Sequence, residues 1–204
     1  MKRIAKKLFV TKIGIISDTH GLLRPEAVAE LRGVELIIHA GDVGGYAGED
    51  GKAEILRALE EVAPVVAVRG NVDTEDWGRK LREREIVEVE AQIRRQEAGS
   101  AENSVSHRRG AEYAERAQRI AEPILIYVLH NLRELDLDPA AVGFQMVVSG
   151  HTHEAMVEEK GGVIYLNPGS AGPRRFKLPV TVARVDLGVR PWGIEIVDLG
   201  KGKE

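Results

Sequence analysis

The sequence predicts an α/β protein built on two β-sheets, one largely parallel and the other more antiparallel. Three observations carry this. Short apolar runs alternate with amphipathic stretches through the first half of the chain, the pattern of βαβ units. Two further continuous apolar runs, Pro123–Leu129 and Gln145–Ser149, read as buried strands. The last part of the chain breaks into short strands divided by turn residues, which reads as a β-meander.

Taken in order, Lys12–Ser17 (KIGIIS) is a predicted buried strand, and Pro25–Arg32 a short helix with Pro near its first turn, where the missing N–H is not needed. Val34–Ala40 is the next strand. Lys52–Val62 places Ile55, Leu56, Leu59 and Val62 at helical spacing, and Val65–Arg69 is a third strand. Glu85–Glu90 (EIVEVE) alternates with period two, so one face is exposed. Between the two buried runs, Asp138-Pro139 reads as a helix cap followed by Pro at the first helical position. Glu154–Lys160, Val163–Leu166, Val180–Asp186 and Gly193–Val197 complete the strands.

Residues 91–122 break the pattern. They are rich in Arg and Glu and nearly free of large apolar side chains. The segment reads as an insertion: a solvated excursion, or a contact for a partner or for a second copy of the chain in a homodimer. It enters at the start of Pro123–Leu129, and such a strand rises roughly 20 Å. The insertion is therefore expected to lie away from whatever His130, at the other end, serves.

Composition narrows the function. The chain has 204 residues, a length suited to one domain, here 1–204 with the insertion inside it. Hydrophobic residues make up 43% and charged residues 30%, a soluble balance. A net charge of -3 gives no polycationic signal for a membrane surface or a long nucleic-acid footprint. The absence of cysteine excludes disulfides, thiolate nucleophiles, iron–sulfur clusters and Cys-bound zinc. Any metal must be held by His, Asp, Glu or Asn. No apolar run approaches the ~18–20 residues of a membrane span, and Leu8–Val10 is too short for a signal-peptide core. A cytoplasmic location is the expectation.

Possible metal ligands recur in one structural phase, just after a buried strand ends: Asp18-Thr19-His20, Gly41-Asp42, Gly70-Asn71, His130 and Gly150-His151-Thr152-His153. Each motif alone is commonplace turn chemistry. Together they place Asp18, His20, Asp42, Asn71, His130, His151 and His153 at the carboxyl edge of the strands, where open α/β sheets bind ligands.

With these residues in place the sequence resembles the calcineurin-like metallophosphoesterases, most of all their small YfcE-type phosphodiesterase branch. The resemblance lies in SDTHG (Ser17–Gly21), HAGDV (His39–Val43), RGNVD (Arg69–Asp73), His130, SGHTHE (Ser149–Glu154) and NPGS (Asn167–Ser170). It implies a four-layer αββα sandwich, two mixed β-sheets flanked by helices, and two divalent metal ions. One ion would take Asp18, His20, Asp42 and His153; the other Asp42, Asn71, His130 and His151, with Asp42 bridging. Imidazole-rich donor sets suit Mn, Fe, Zn or Ni better than Mg or Ca, and Mn²⁺ is the expected ion. The implied reaction is hydrolysis of a small phosphate ester by a hydroxide held between the ions and attacking phosphorus in line. Such ligands must be deprotonated, so activity is expected to fall in mild acid.

Two other readings share the pattern: a non-catalytic metal-binding scaffold, as in the retromer subunit of the same fold, and a small-nucleotide hydrolase. The chain also departs from its relatives in two places. Val72 stands where many carry a His able to protonate the leaving group, which favours diesters or activated esters. Asn131 stands where Gly is usual; Asn tolerates the left-handed backbone, so the turn is expected to survive. His39 reads as buried support, Asp73 as orienting the Asn71 loop, and Arg174 and Arg175 as solvated or phosphate-facing.

Overall fold

The computed structural model describes residues 8–45, 52–92, 121–175 and 177–200. The strands are β1 (Leu8–Phe9), β2 (Lys12–Ile16), β3 (Leu36–His39), β4 (Val65–Ala67), β5 (Arg84–Gln92), β6 (Ala121–Leu129), β7 (Met146–Val148), β8 (Ala155–Lys160), β9 (Val163–Pro168), β10 (Thr181–Asp186) and β11 (Gly193–Asp198). The helices are α1 (Pro25–Glu30), α2 (Lys52–Glu60) and α3 (Pro139–Val142). Asp138 caps α3 by accepting the N–H groups of Ala140 and Ala141, and Gly143 ends it at φ 89°.

The strands form two sheets, ordered β1-β5-β6-β7-β9-β8 and β11-β10-β2-β3-β4. Both are mixed, as the resemblance implies, rather than divided into one largely parallel and one more antiparallel sheet. The parallel pairs are β2 with β3 and β3 with the edge strand β4 in the five-stranded sheet, and β6 with β7, β7 with β9 and the edge strand β1 with β5 in the six-stranded one. The expected terminal meander is also corrected. The hairpin β8–β9 joins the first sheet and the hairpin β10–β11 the second, so consecutive hairpins serve different sheets. Short strands and turns report pairing within each hairpin; they carry no information on which sheet a hairpin joins.

Burial defines the layers. Ile13, Ile15 and Ile38 face Ile124, Ile126, Val128, Met146 and Val148 between the sheets. Ala27, Ile55 and Leu59 of the helices α1 and α2, with Leu31 just past α1, close the outer face of the five-stranded sheet over Ile16, Ile37 and Val182. Tyr127, Phe144 and Val147 are covered on the other outer face by Leu132, Leu135 and Leu137. This is the four-layer αββα sandwich, with a thin fourth layer. The insertion at 91–122 lies largely outside the described residues. Its first and last residues extend β5 and β6, with Gln92 paired to Ala121 at the opposite end of β6 from His130.

Candidate metal centre

The parallel strands β2, β3 and β4 of one sheet and β6 and β7 of the other end side by side, so their following loops face one another across the sandwich. All seven predicted residues come from these loops, and the structure joins them in two overlapping groups. Ligand atoms of Asp18, His20 and His153, and separately of Asp18, Asp42 and His130, lie within 4.8 Å of one another. Asn71 Oδ1 stands 3.1 Å from His130 Nε2 and 3.0 Å from His151 Nδ1, which ties the remaining two residues to the second group.

The backbone is strained at these points. Asp18, His20, Asp42, His151 and His153 have φ of 53°, 45°, 53°, 70° and 62°. Among the described residues no other non-glycine has positive φ. Each such residue costs on the order of 1 kcal/mol or more, and that strain is typical of functional sites. The surrounding loops hold it in place. Asp73 accepts the N–H groups of Gly70 at 2.8 Å and Gly44 at 2.9 Å, clamping the Asn71 loop to the Asp42 loop as the sequence suggests. Asn167 donates to the Gly150 carbonyl at 2.8 Å and to Thr152 Oγ1 at 3.0 Å, fixing the His-Thr-His loop. Ser170 Oγ donates to the Asp18 carbonyl at 3.0 Å.

The donor chemistry is that of a cation site. His130 Nδ1–H donates to the Ala40 carbonyl at 2.7 Å, which aims Nε2 inward at Asp42 Oδ2, 3.3 Å away, and at Asn71 Oδ1. In neutral imidazole that nitrogen is a lone pair facing two oxygens, an arrangement that only a proton or a cation reconciles. His20 Nε2 and His153 Nε2 face each other at 3.2 Å, and both approach Asp18 Oδ1, at 3.8 and 3.3 Å. Asp18 Oδ1 is buried without a hydrogen bond, a costly state for a carboxylate oxygen unless a cation meets it. Asp18 thus contributes to both groups, as Asp42 was expected to.

The titration behaviour follows from the same contacts. Burial disfavours charge on His130, but the Asp42 carboxylate outweighs it and holds the imidazolium above its ordinary range. Burial likewise opposes the Asp42 carboxylate, and hydrogen bonding and charge from His130 hold it below its ordinary range. His20 is lowered by burial against the pull of Asp42 and Asp18.

His39 is a supporting residue, as expected. It is fully buried, accepts the Gly41 N–H at Nδ1 (3.2 Å) and meets Thr19 Oγ1 at Nε2 (3.1 Å), while the Thr19 hydroxyl donates to the Val43 carbonyl. Desolvation lowers its pKa from 6.5 to about 4. The unfolded chain therefore binds a proton here that the folded chain refuses. The full stability is present above pH 6.5 and falls as pH drops towards about 4, by about 3 kcal/mol. Urea unfolding of the metal-free protein across this window is expected to show a shallower pH slope for His39→Gln; an unchanged slope would contradict the assignment.

Asn131 departs from expectation. Its φ is -105°, extended rather than left-handed, and its side chain caps the following turn by accepting the Arg133 N–H at 3.1 Å. No residue with positive φ is needed there, so the Gly is dispensable. Of the two arginines, Arg174 is exposed, whereas Arg175 reaches Nη2 to within 3.4 Å of His20 Nε2.

A model of the calcineurin-like phosphoesterase superfamily domain matches residues 11–189. The chain belongs to this superfamily. A probable metallophosphoesterase of Methanothermobacter thermautotrophicus is 33% identical over 180 residues, covering 85% of this chain and 86% of that one. Two solved structures share the fold. A novel archaeal phosphodiesterase is 24% identical over 92% of this chain and 99% of its own, with TM-score 0.56. The phosphoesterase YfcE from E. coli is 21% identical over 92% and 99%, with TM-score 0.55. The superfamily is one of metal-dependent phosphoesterases, and the donor set above fits its divalent ions. No helix among the described residues is long and apolar enough to cross a membrane.

Proposed function

We propose that this chain is a binuclear metal-dependent phosphodiesterase of relaxed specificity acting on small phosphate esters. The observation that carries this is the convergence of seven donor side chains from five strand ends, with the backbone strained at five of them. Asp18, His20 and His153 would hold one ion and Asn71, His130 and His151 the other, with Asp42 reaching both. Two divalent ions bound there, Mn²⁺ being the preferred pair, would acidify a water and offset charge on the phosphate oxygens.

The chain's own groups set the rest. Val72 offers no side-chain proton to a leaving alkoxide; its N–H instead donates to Asp42 Oδ1 at 2.9 Å. Without that acid, esters with better leaving groups are the suited substrates. Bis-p-nitrophenyl phosphate is expected to be hydrolysed with Mn²⁺ and not with EDTA, nor by His151→Ala. Absence of metal-dependent turnover would instead support a binding scaffold, and faster turnover of alkyl monoesters than of diesters would overturn the diester assignment.

Arg175 suits a phosphate oxygen, because its guanidinium lies against the rim of the first ion group. Arg175→Ala is expected to raise KM about tenfold, the worth of one charge-assisted hydrogen bond, with kcat little changed. Steady-state kinetics checks this; an unaltered KM would remove Arg175 from the site.

A further inference from the structure

Beside Asn71, His130 and His151 the surface opens into a cleft of about 400 Å³. Its outer walls are Arg69, Thr74, Arg79 and Glu83 from the segments after β4, and Asn131 and Glu134 from the segment after β6. We propose that this cleft receives one ester arm of the substrate, and that the arm is a small neutral polyol of the glycerol kind. The inference rests on the phosphodiesterase reading and names the class of substrate for that same site.

The lining argues against the common alternatives. Among the described residues no Phe, Tyr, Trp or aliphatic side chain lines the cleft, so a nucleobase or aryl arm would find no face to stack on. Arg69 and Arg79 are matched in charge by Glu83 and Glu134. The walls therefore offer no net field for a second phosphate or for a cationic arm. Asp73, which borders the cleft, is committed to backbone N–H groups.

What remains is a close alternation of donors and acceptors. A hydroxyl is both at once and suits such walls. The walls are also set in advance. Arg69 is ion-paired with Glu83. Arg79 donates its Nε–H to the Thr74 carbonyl at 2.8 Å, and Asn131 Nδ2 donates to Glu134 Oε1 at 3.3 Å. Groups fixed before binding lose less entropy when a ligand arrives.

The test uses the full chain with Mn²⁺ and the variants Arg79→Ala and Glu134→Ala, both exposed positions where folding is not at stake. Each is expected to lower kcat/KM for methyl glyceryl phosphate about tenfold and to leave bis-p-nitrophenyl phosphate within about twofold. Calorimetry with two inert probes gives a second readout. Glyceryl methylphosphonate is expected to bind the parent more tightly than ethyl methylphosphonate, and the variants are expected to erase that difference. Variants that weaken both substrates alike, or neither, would overturn the proposal, as would a parent that prefers a nucleoside or choline arm. If the parent hydrolyses no diester, the phosphodiesterase reading fails, and the calorimetric preference alone then decides for or against the cleft.

Discussion

Asp42→Asn is expected to lower kcat/KM for bis-p-nitrophenyl phosphate by about a thousandfold or more while the metal-free protein stays folded. The substitution keeps the shape of the side chain. Its amide oxygen can still accept the Val72 N–H, which Asp42 Oδ1 accepts at 2.9 Å. What disappears is the negative charge at Oδ2, the atom 3.3 Å from His130 Nε2 and 3.9 Å from His20 Nε2. No other carboxylate reaches both His130 and His20 so closely among the described residues. The metal-free protein also holds Asp18 and Asp42 together in a buried site, 0% and 3% exposed. Neutralising Asp42 relieves its repulsion with Asp18 but gives up the pairing with His130 that holds the Asp42 carboxylate below its ordinary range. The metal-free variant should therefore stay folded and melt somewhat below the parent, while the rise in melting temperature that Mn²⁺ gives the parent should vanish. Thermal unfolding with and without Mn²⁺ reads both halves. A variant that loses activity and also unfolds without metal would show Asp42 to be structural.

Gly70→Ala is expected to destabilise the protein by about 2–4 kcal/mol and to abolish metal-dependent turnover together with it. A Cβ on Gly70 would overlap both Oδ1 and the backbone nitrogen of Asp42. The backbone atom cannot step aside, because the Asp42 loop is clamped to this one through Asp73. Relief must come from separating the two loops, which carries Asn71 away from Asp42 and His130. Chemical denaturation and metal titration measure the two effects. Asp73→Asn, which loses the charge but keeps the side chain in place, should show a milder version of both. Wild-type stability in Gly70→Ala would mean that the two loops are less tightly apposed than the structure gives.

Much of this was legible in the sequence because the chemistry sits at a boundary the sequence marks well. Buried strands such as VELIIHA and PILIYVL end in polar residues that have no reason to follow an apolar run except to face the strand-end edge. Asp42 and His130 could be named because five such strand ends share one phase, not from either position alone. Sheet pairing was not legible. β10 lies antiparallel to β2 through contacts between distant parts of the chain, and no local pattern encodes a partner so remote. Left-handed geometry was expected for the Asn at position 131 and found instead at Asp18 and His153. Tertiary clamping sets it there, at Asp and His residues that tolerate it better than most. The cleft walls were hidden for a similar reason: Arg79 and Glu134 are ordinary surface charges until folding brings their segments to one side of His130.

Anomalous diffraction from crystals of the full chain grown with Mn²⁺ tests the central claim most directly. The expected map shows two peaks about 3.5–4 Å apart, one against Asp18, His20 and His153, the other against Asn71, His130 and His151, with Asp42 between them. A single peak, or manganese bound anywhere else while this cluster stays without it, would contradict the binuclear centre.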